Sequence, residues 1–187
     1  MTIPFLMLLV ALITESTLMM SAKVGTVYAA YAAARTASVW SSATEWPDAQ
    51  DKIERSAMQA MLPFASGNSP GDAQSAAGNA ADREVYRQAY QSWVEDGVAA
   101  GYVAAKGRSA EQRLRVSLNG LPASWQADIE VTVTYDYPIH VPGLGPLLGT
   151  PGAAGGYDFS LTSRVTLPND GPQNAAQNMG IGYGRGQ

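Results

Sequence analysis

Cysteine is missing from all 187 residues, so disulfides and thiol-held zinc or iron–sulfur centres are excluded. One histidine, His140, leaves little scope for imidazole catalysis or a histidine-built metal site. Charge is scarce too: 15% of residues are Asp, Glu, Lys or Arg, and the net charge is −4. Nucleic acid calls for a basic stripe, and this balance predicts no such partner. The scarcity is most extreme at the start. Met1 to Ala22 holds one ionisable side chain, Glu15, and no Lys or Arg.

What fills that stretch is an apolar run, Ile-Pro-Phe-Leu-Met-Leu-Leu-Val-Ala-Leu-Ile-Thr-Glu-Ser-Thr-Leu-Met-Met, long enough as a helix to cross about 30 Å of hydrocarbon. A secretory signal has a basic flank and a small-residue cleavage site; here the run passes directly into more helix, which favours a retained anchor. With no basic flank, orientation rests on the long polar remainder, whose natural place is outside the cytoplasm.

The pattern predicts one long first helix from Ile3 to Thr44, stopping before Pro47, about 63 Å in length. Residues 1–22 are its membrane part and 23–45 its aqueous extension, in which Val24, Val27, Tyr28, Tyr31, Ala34 and Ala37 or Ser38 form an apolar stripe at 3–4 spacing. The alanines and Gly25 allow another backbone to approach closely. A globular domain over 46–167 follows, then a flexible tail, 168–187, rich in Asn, Gln and Gly.

Within that domain, Pro47 opens a second helix to Leu62, with Asp48 and Asp51 at its positive end and Ile53, Ala57, Met58, Ala60 and Met61 inward. Phe64 to Asn79 reads as a loop. A third helix is expected over Ala80 to Lys106, breaking near Gly107 and resuming through Ala110 to Leu114; Tyr86, Tyr90, Trp93 and Tyr102 are its core aromatics. The period then changes from 3.6 to 2. Strands are expected at Leu114–Leu118, Asp128–Tyr137 and Tyr157–Leu167, the second with Ile129, Val131, Val133, Tyr135 and Tyr137 on one face. The fold class is therefore α+β: a long N-terminal transmembrane and amphipathic helix packed on a small antiparallel sheet, with one or two additional helices.

No catalytic constellation emerges from the spacing, and no cofactor or metal site. His140 reads as a structural or solvated loop residue. Asp48, Asp51 and Glu54 fall at helical spacing and read as a solvated face. Asn68, Asp72 and Asn79 lack calcium-loop spacing, and the glycines from Gly143 to Gly156 lack the strand-to-helix setting of a phosphate loop. Glu15 stands out, because a carboxylate in a membrane span is expensive and needs a partner. It is either a contact to a neighbouring helix or a residue at the water interface. The apolar loop from Pro138 to Gly156 is a candidate contact surface through His140, Leu144, Leu147 and Leu148, either for a partner or for the domain itself.

The order of parts resembles a family. Pro4 and Glu15 bracket an apolar run; an Ala/Arg-rich extension, Val27 to Val39, follows; Asp128 to Pro138, then Leu144 to Gly149 and Thr166-Leu167-Pro168-Asn169, close the chain. Together these are similar to a TadE-like minor pilin or pseudopilin of the tight-adherence (Tad, or Flp) branch of type IV pili. A basic leader, a small-residue peptidase site and a fifth-position Glu do not precede Pro4, so an upstream leader or a loss of processing is expected. The resemblance implies a non-enzymatic subunit acting in assembly, priming or tip formation of a Tad-type pilus or related secretion filament. It implies Pro4, Glu15, Gly25, Tyr28, Tyr31 and Arg35 as subunit or membrane contacts. Partners would be other pilins, the assembly platform and inner-membrane lipid, with the domain extracytoplasmic. The alternative is a membrane-anchored scaffold or binding protein that never enters a filament.

Overall fold

The computed structural model describes residues 2–41, 46–66, 97–119, 127–152 and 156–170. Its elements are α1 (Thr2–Trp40), α2 (Trp46–Met61), α3 (Gly97–Arg113), β1 (Leu114–Leu118), β2 (Asp128–Pro138), α4 (Gly145–Leu148), β3 (Thr150–Pro151) and β4 (Tyr157–Pro168). The expected α+β class holds. The sheet is antiparallel throughout, in the order β1-β2-β4-β3.

β2 is the centre of that sheet, and its alternation decides its faces. Ile129, Val131, Val133, Tyr135 and Tyr137 are all buried, while Glu130, Thr132, Thr134 and Asp136 are partly open. Its whole length is zipped to β4, from Asp128 opposite Pro168 to Pro138 opposite Asp158. β4 keeps the expected alternation around Leu161 and Ser163, which are buried, and loses it at its start, where Phe159 is 38% exposed.

The buried face of the sheet receives α1, which α2 covers from the other side. A helix gripped on two sides must present small side chains, and this one does. Ala22, Ala29, Ala30, Ala33, Ala34 and Ala37 are buried, and they meet Ile53, Ala57, Ala60 and Met61 of α2. Gly25 belongs to the same close approach: a methyl group there would overlap the side chain of Phe64. The expected stripe is split: Ala34, Ala37 and Ser38 are buried, whereas Val24, Val27, Tyr28 and Tyr31 face outward. Periodicity groups residues onto faces, and here the larger residues lie on the face that meets no other part of the described chain.

Other boundaries differ for local reasons. α1 ends at Trp40 rather than at residue 44, and Ser41 closes its last turn on Ala37. In α2, Met58 is only half-buried. α3 runs unbroken through Gly107, which is buried; packing on β2 and α2 outweighs the cost of about 1 kcal/mol for a helical glycine. The connection 138–156 carries structure of its own, α4 and the short β3. Expectations for 67–79, 80–96 and the tail beyond 170, and for the side chains of Trp93, Tyr86, Tyr90 and Tyr102, lie outside the described residues. Before that tail the chain is fixed: Asn169 is buried, and the Asp170 amide donates to Ser38 O at 3.1 Å.

Candidate assembly interface and the Glu15 latch

Glu15 divides α1 into two unlike halves. Ahead of it, Ile3, Phe5, Leu6, Met7, Leu8, Leu9, Val10 and Ile13 are all exposed, on every side of the helix. Pro4 sits in the first turn, exposed, where its missing N–H costs no helical bond. This tip, residues 2–14, is about 20 Å long at helical rise. α1 is long and apolar enough to span a membrane: its most apolar 18 residues have a mean hydropathy of 2.0 and are only 6% buried.

Behind Glu15 the helix has one face on the protein and one face free. Leu6, Val10, Ile13, Thr17, Met20, Val24, Val27 and Tyr31 follow one another at alternating steps of four and three, all exposed. That is the a/d spacing of a helix–helix seam, carried for about 38 Å with one polar member. Tyr28 flanks it, 56% exposed, and Arg35 continues it with its side chain in the open. Lys23, by contrast, is folded back, its ammonium donating to Thr162 O and lying 3.1 Å from Ser163 Oγ.

Glu15 itself is fully buried inside the protein. Its carboxylate accepts the backbone N–H of His140 at 3.2 Å and of Val141 at 2.9 Å, and it also takes the Tyr137 hydroxyl. Beside the two expected roles, a neighbour-helix contact and a water-interface position, the residue has a third within its own chain. It is a latch between α1 and the end of β2, 125 residues on. Tyr137 Oη lies 3.1 Å from His140 Nδ1, and His140 Nε2 lies 2.9 Å from Ser66 Oγ. One proton order satisfies every partner: Ser66 donates to Nε2, Nδ1–H donates to Tyr137, and Tyr137 donates to Glu15. Burial raises the Tyr137 pKa above its ordinary value, and the hydrogen bond to Glu15 and its negative charge raise it further. The Ser66 amide donates to Tyr135 Oη at 3.1 Å, which ties the end of α2 to the same knot.

Ser66 and His140 have the spacing of a nucleophile and its base, but the carboxylate does not hold the imidazole. Glu15 Oε1 is 4.0 Å from Nδ1, and its hydrogen bonds come from the two amides and Tyr137. The arrangement fixes a loop to a helix. A second polar place, a cleft of about 290 Å³ on the outer face of the sheet, contains Asp136 and Asp158. Both are already engaged, by Arg115 at 2.8 Å and Arg113 at 2.7 Å. No group of three or more metal-ligating side chains occurs among the described residues.

The remaining candidates separate. Leu144 is buried, Leu148 half-buried, and Leu147 is 71% exposed, so the loop supplies one apolar residue in the open rather than a patch of three. Gly25 is closely approached by Phe64 of its own chain. Sequence reasoning missed Ser66, Tyr137 and Val141. Tyr137 and Ser66 carry no local motif, and Val141 acts through its backbone, which has no side-chain signature. No protein-family model, curated protein or solved structure matches the chain.

Proposed function

We propose that this chain is a membrane-anchored assembly subunit of the minor pilin or pseudopilin kind, acting in the assembly, priming or tip formation of a Tad-type pilus or a related secretion filament. The observation that supports it most is the open seam from Leu6 to Tyr31 on a helix whose other face, from Glu15 onward, is packed on the protein. An apolar stripe of that length needs a cover. Lipid covers the tip while the subunit waits in the bacterial inner membrane as a single-pass protein with its domain outside the cytoplasm. The helices of other pilins cover the whole seam once an assembly platform has lifted the subunit into a bundle. Met20, Val24, Val27 and Tyr31 are then the knobs, and Arg35 ends the seam with a charge.

The test is N-terminal sequencing and immunodetection of the chain in sheared pilus and membrane fractions. Recovery in the sheared material identifies a filament subunit. Recovery only in membranes leaves an anchored scaffold or binding protein.

A further inference from the structure

We propose that the connection between β2 and β4, centred on Val141–Leu148, is a lipid-contacting surface that rests in the headgroup layer of the bilayer holding the N-terminal tip. This rests on the tip being seated in a membrane, as in the reading above, and adds a second point of contact.

The topology supplies the first argument. β4 runs alongside α1 in the same direction: Lys23 reaches Thr162 and Ser163, and Ser38 meets Asp170. The crossing from β2 to β4 therefore lies at the Glu15 end, where the helix emerges from the protein. The opposite end of the sheet, near Asn169, is about 35 Å away along the helix.

Exposure supplies the second. The tip is uncovered on every side up to Ile13, so lipid that covers it comes up to the level of Glu15 and the connection. The connection suits that level, since no charged side chain occurs from Val141 to Gly156. Pro142, Gly143 and Pro146 are exposed beside Leu147.

The exposure of Leu147 is imposed by the fold. Leu144 is buried, and the Leu147 and Leu148 amides both donate to Leu144 O at 3.0 Å. Gly145 and Gly149 are packed so tightly on Tyr157 and Ile139 that a methyl group at either would collide. The turn is held with Leu147 outward. A buried Glu15 completes the argument: a carboxylate at the edge of hydrocarbon needs its charge met, and two amides and a tyrosine hydroxyl meet it.

The absence of cysteine makes the test clean, because each introduced thiol is unique. Leu9→Cys, Leu147→Cys and Thr166→Cys are each labelled with an environment-sensitive fluorophore. The full-length protein is reconstituted in phosphatidylcholine–phosphatidylglycerol vesicles at high lipid excess, with and without nitroxide-bearing lipids. Thr166 is exposed near the far end of β4 and reports bulk water. The expected result is a blue shift with quenching by deep nitroxides at Leu9, a blue shift with quenching by shallow nitroxides at Leu147, and neither at Thr166. Quenching at Leu9 with aqueous emission at Leu147 overturns the lipid-contacting surface and leaves the anchor standing. A blue shift at Leu147 without quenching means protein covers it, which also overturns the proposal. Absence of quenching at Leu9 removes the anchor and the proposal together.

Discussion

At the residue scale, the fold is organised around one carboxylate. Glu15 is conspicuous in the sequence because nothing else near it is charged, but its partners could not be read there. They lie 122 to 126 residues away, two of them are backbone amides, and the third is one of nine tyrosines. Hydrogen bonds to a charged group contribute more than neutral ones, and leaving buried donors without an acceptor adds a desolvation penalty. Glu15→Ala is expected to destabilise the fold by about 3 kcal/mol, since it strands the His140 and Val141 amides and the Tyr137 hydroxyl. Glu15→Gln is expected to cost about 2 kcal/mol, because its NH2 group faces donors where an acceptor is needed. Denaturant unfolding in detergent micelles gives both values. Limited proteolysis of the 138–156 connection reports the local release, and unchanged stability and protection in Glu15→Ala would remove the latch.

At the scale of elements, the sequence was most legible where the pattern was simplest. The alternation from Ile129 to Tyr137 located β2 and named its buried face correctly, because a sheet with one wet face sorts residues by polarity. The helix α1 was legible in extent, but its apolar stripe did not say which of its members are buried. Its inner face is alanine because sheet and α2 both press on it, and its outer face carries the valines and tyrosines that ordinarily mark a core. That inversion predicts opposite responses from adjacent positions. Ala33→Leu inserts bulk where there is no room and is expected to cost about 1–3 kcal/mol. Tyr31→Ser removes a large aromatic ring from the exposed face and is expected to change stability by no more than about 0.5 kcal/mol. Equilibrium unfolding of the two variants side by side decides the matter, and the reverse order would mean the helix faces the other way.

At the scale of the whole molecule, the two halves of α1 perform separable tasks. The tip ahead of Glu15 makes no contribution to the buried core, whereas the half behind it lies between α2 and the sheet. Removal of residues 2–13 should therefore leave a folded domain with its Glu15 latch intact, its thermal midpoint within a few degrees of the full chain, and no need of detergent. Removal of residues 2–21 also takes away Glu15 and should lower the midpoint much further, because the loss at the latch alone corresponds to about 3 kcal/mol. The shorter deletion still exposes Leu18, Met20, Val24, Val27, Tyr28 and Tyr31 along one side. An open seam in water favours a second helix over solvent. The truncated domain is thus expected to self-associate as its concentration rises in sedimentation experiments, and Val27→Ser with Tyr31→Ser is expected to return it to a monomer without loss of stability. A truncated domain that stays monomeric throughout would show that the stripe has too little affinity for its own kind, and would shift the balance from a bundle of like helices toward a scaffold whose partner is a different protein.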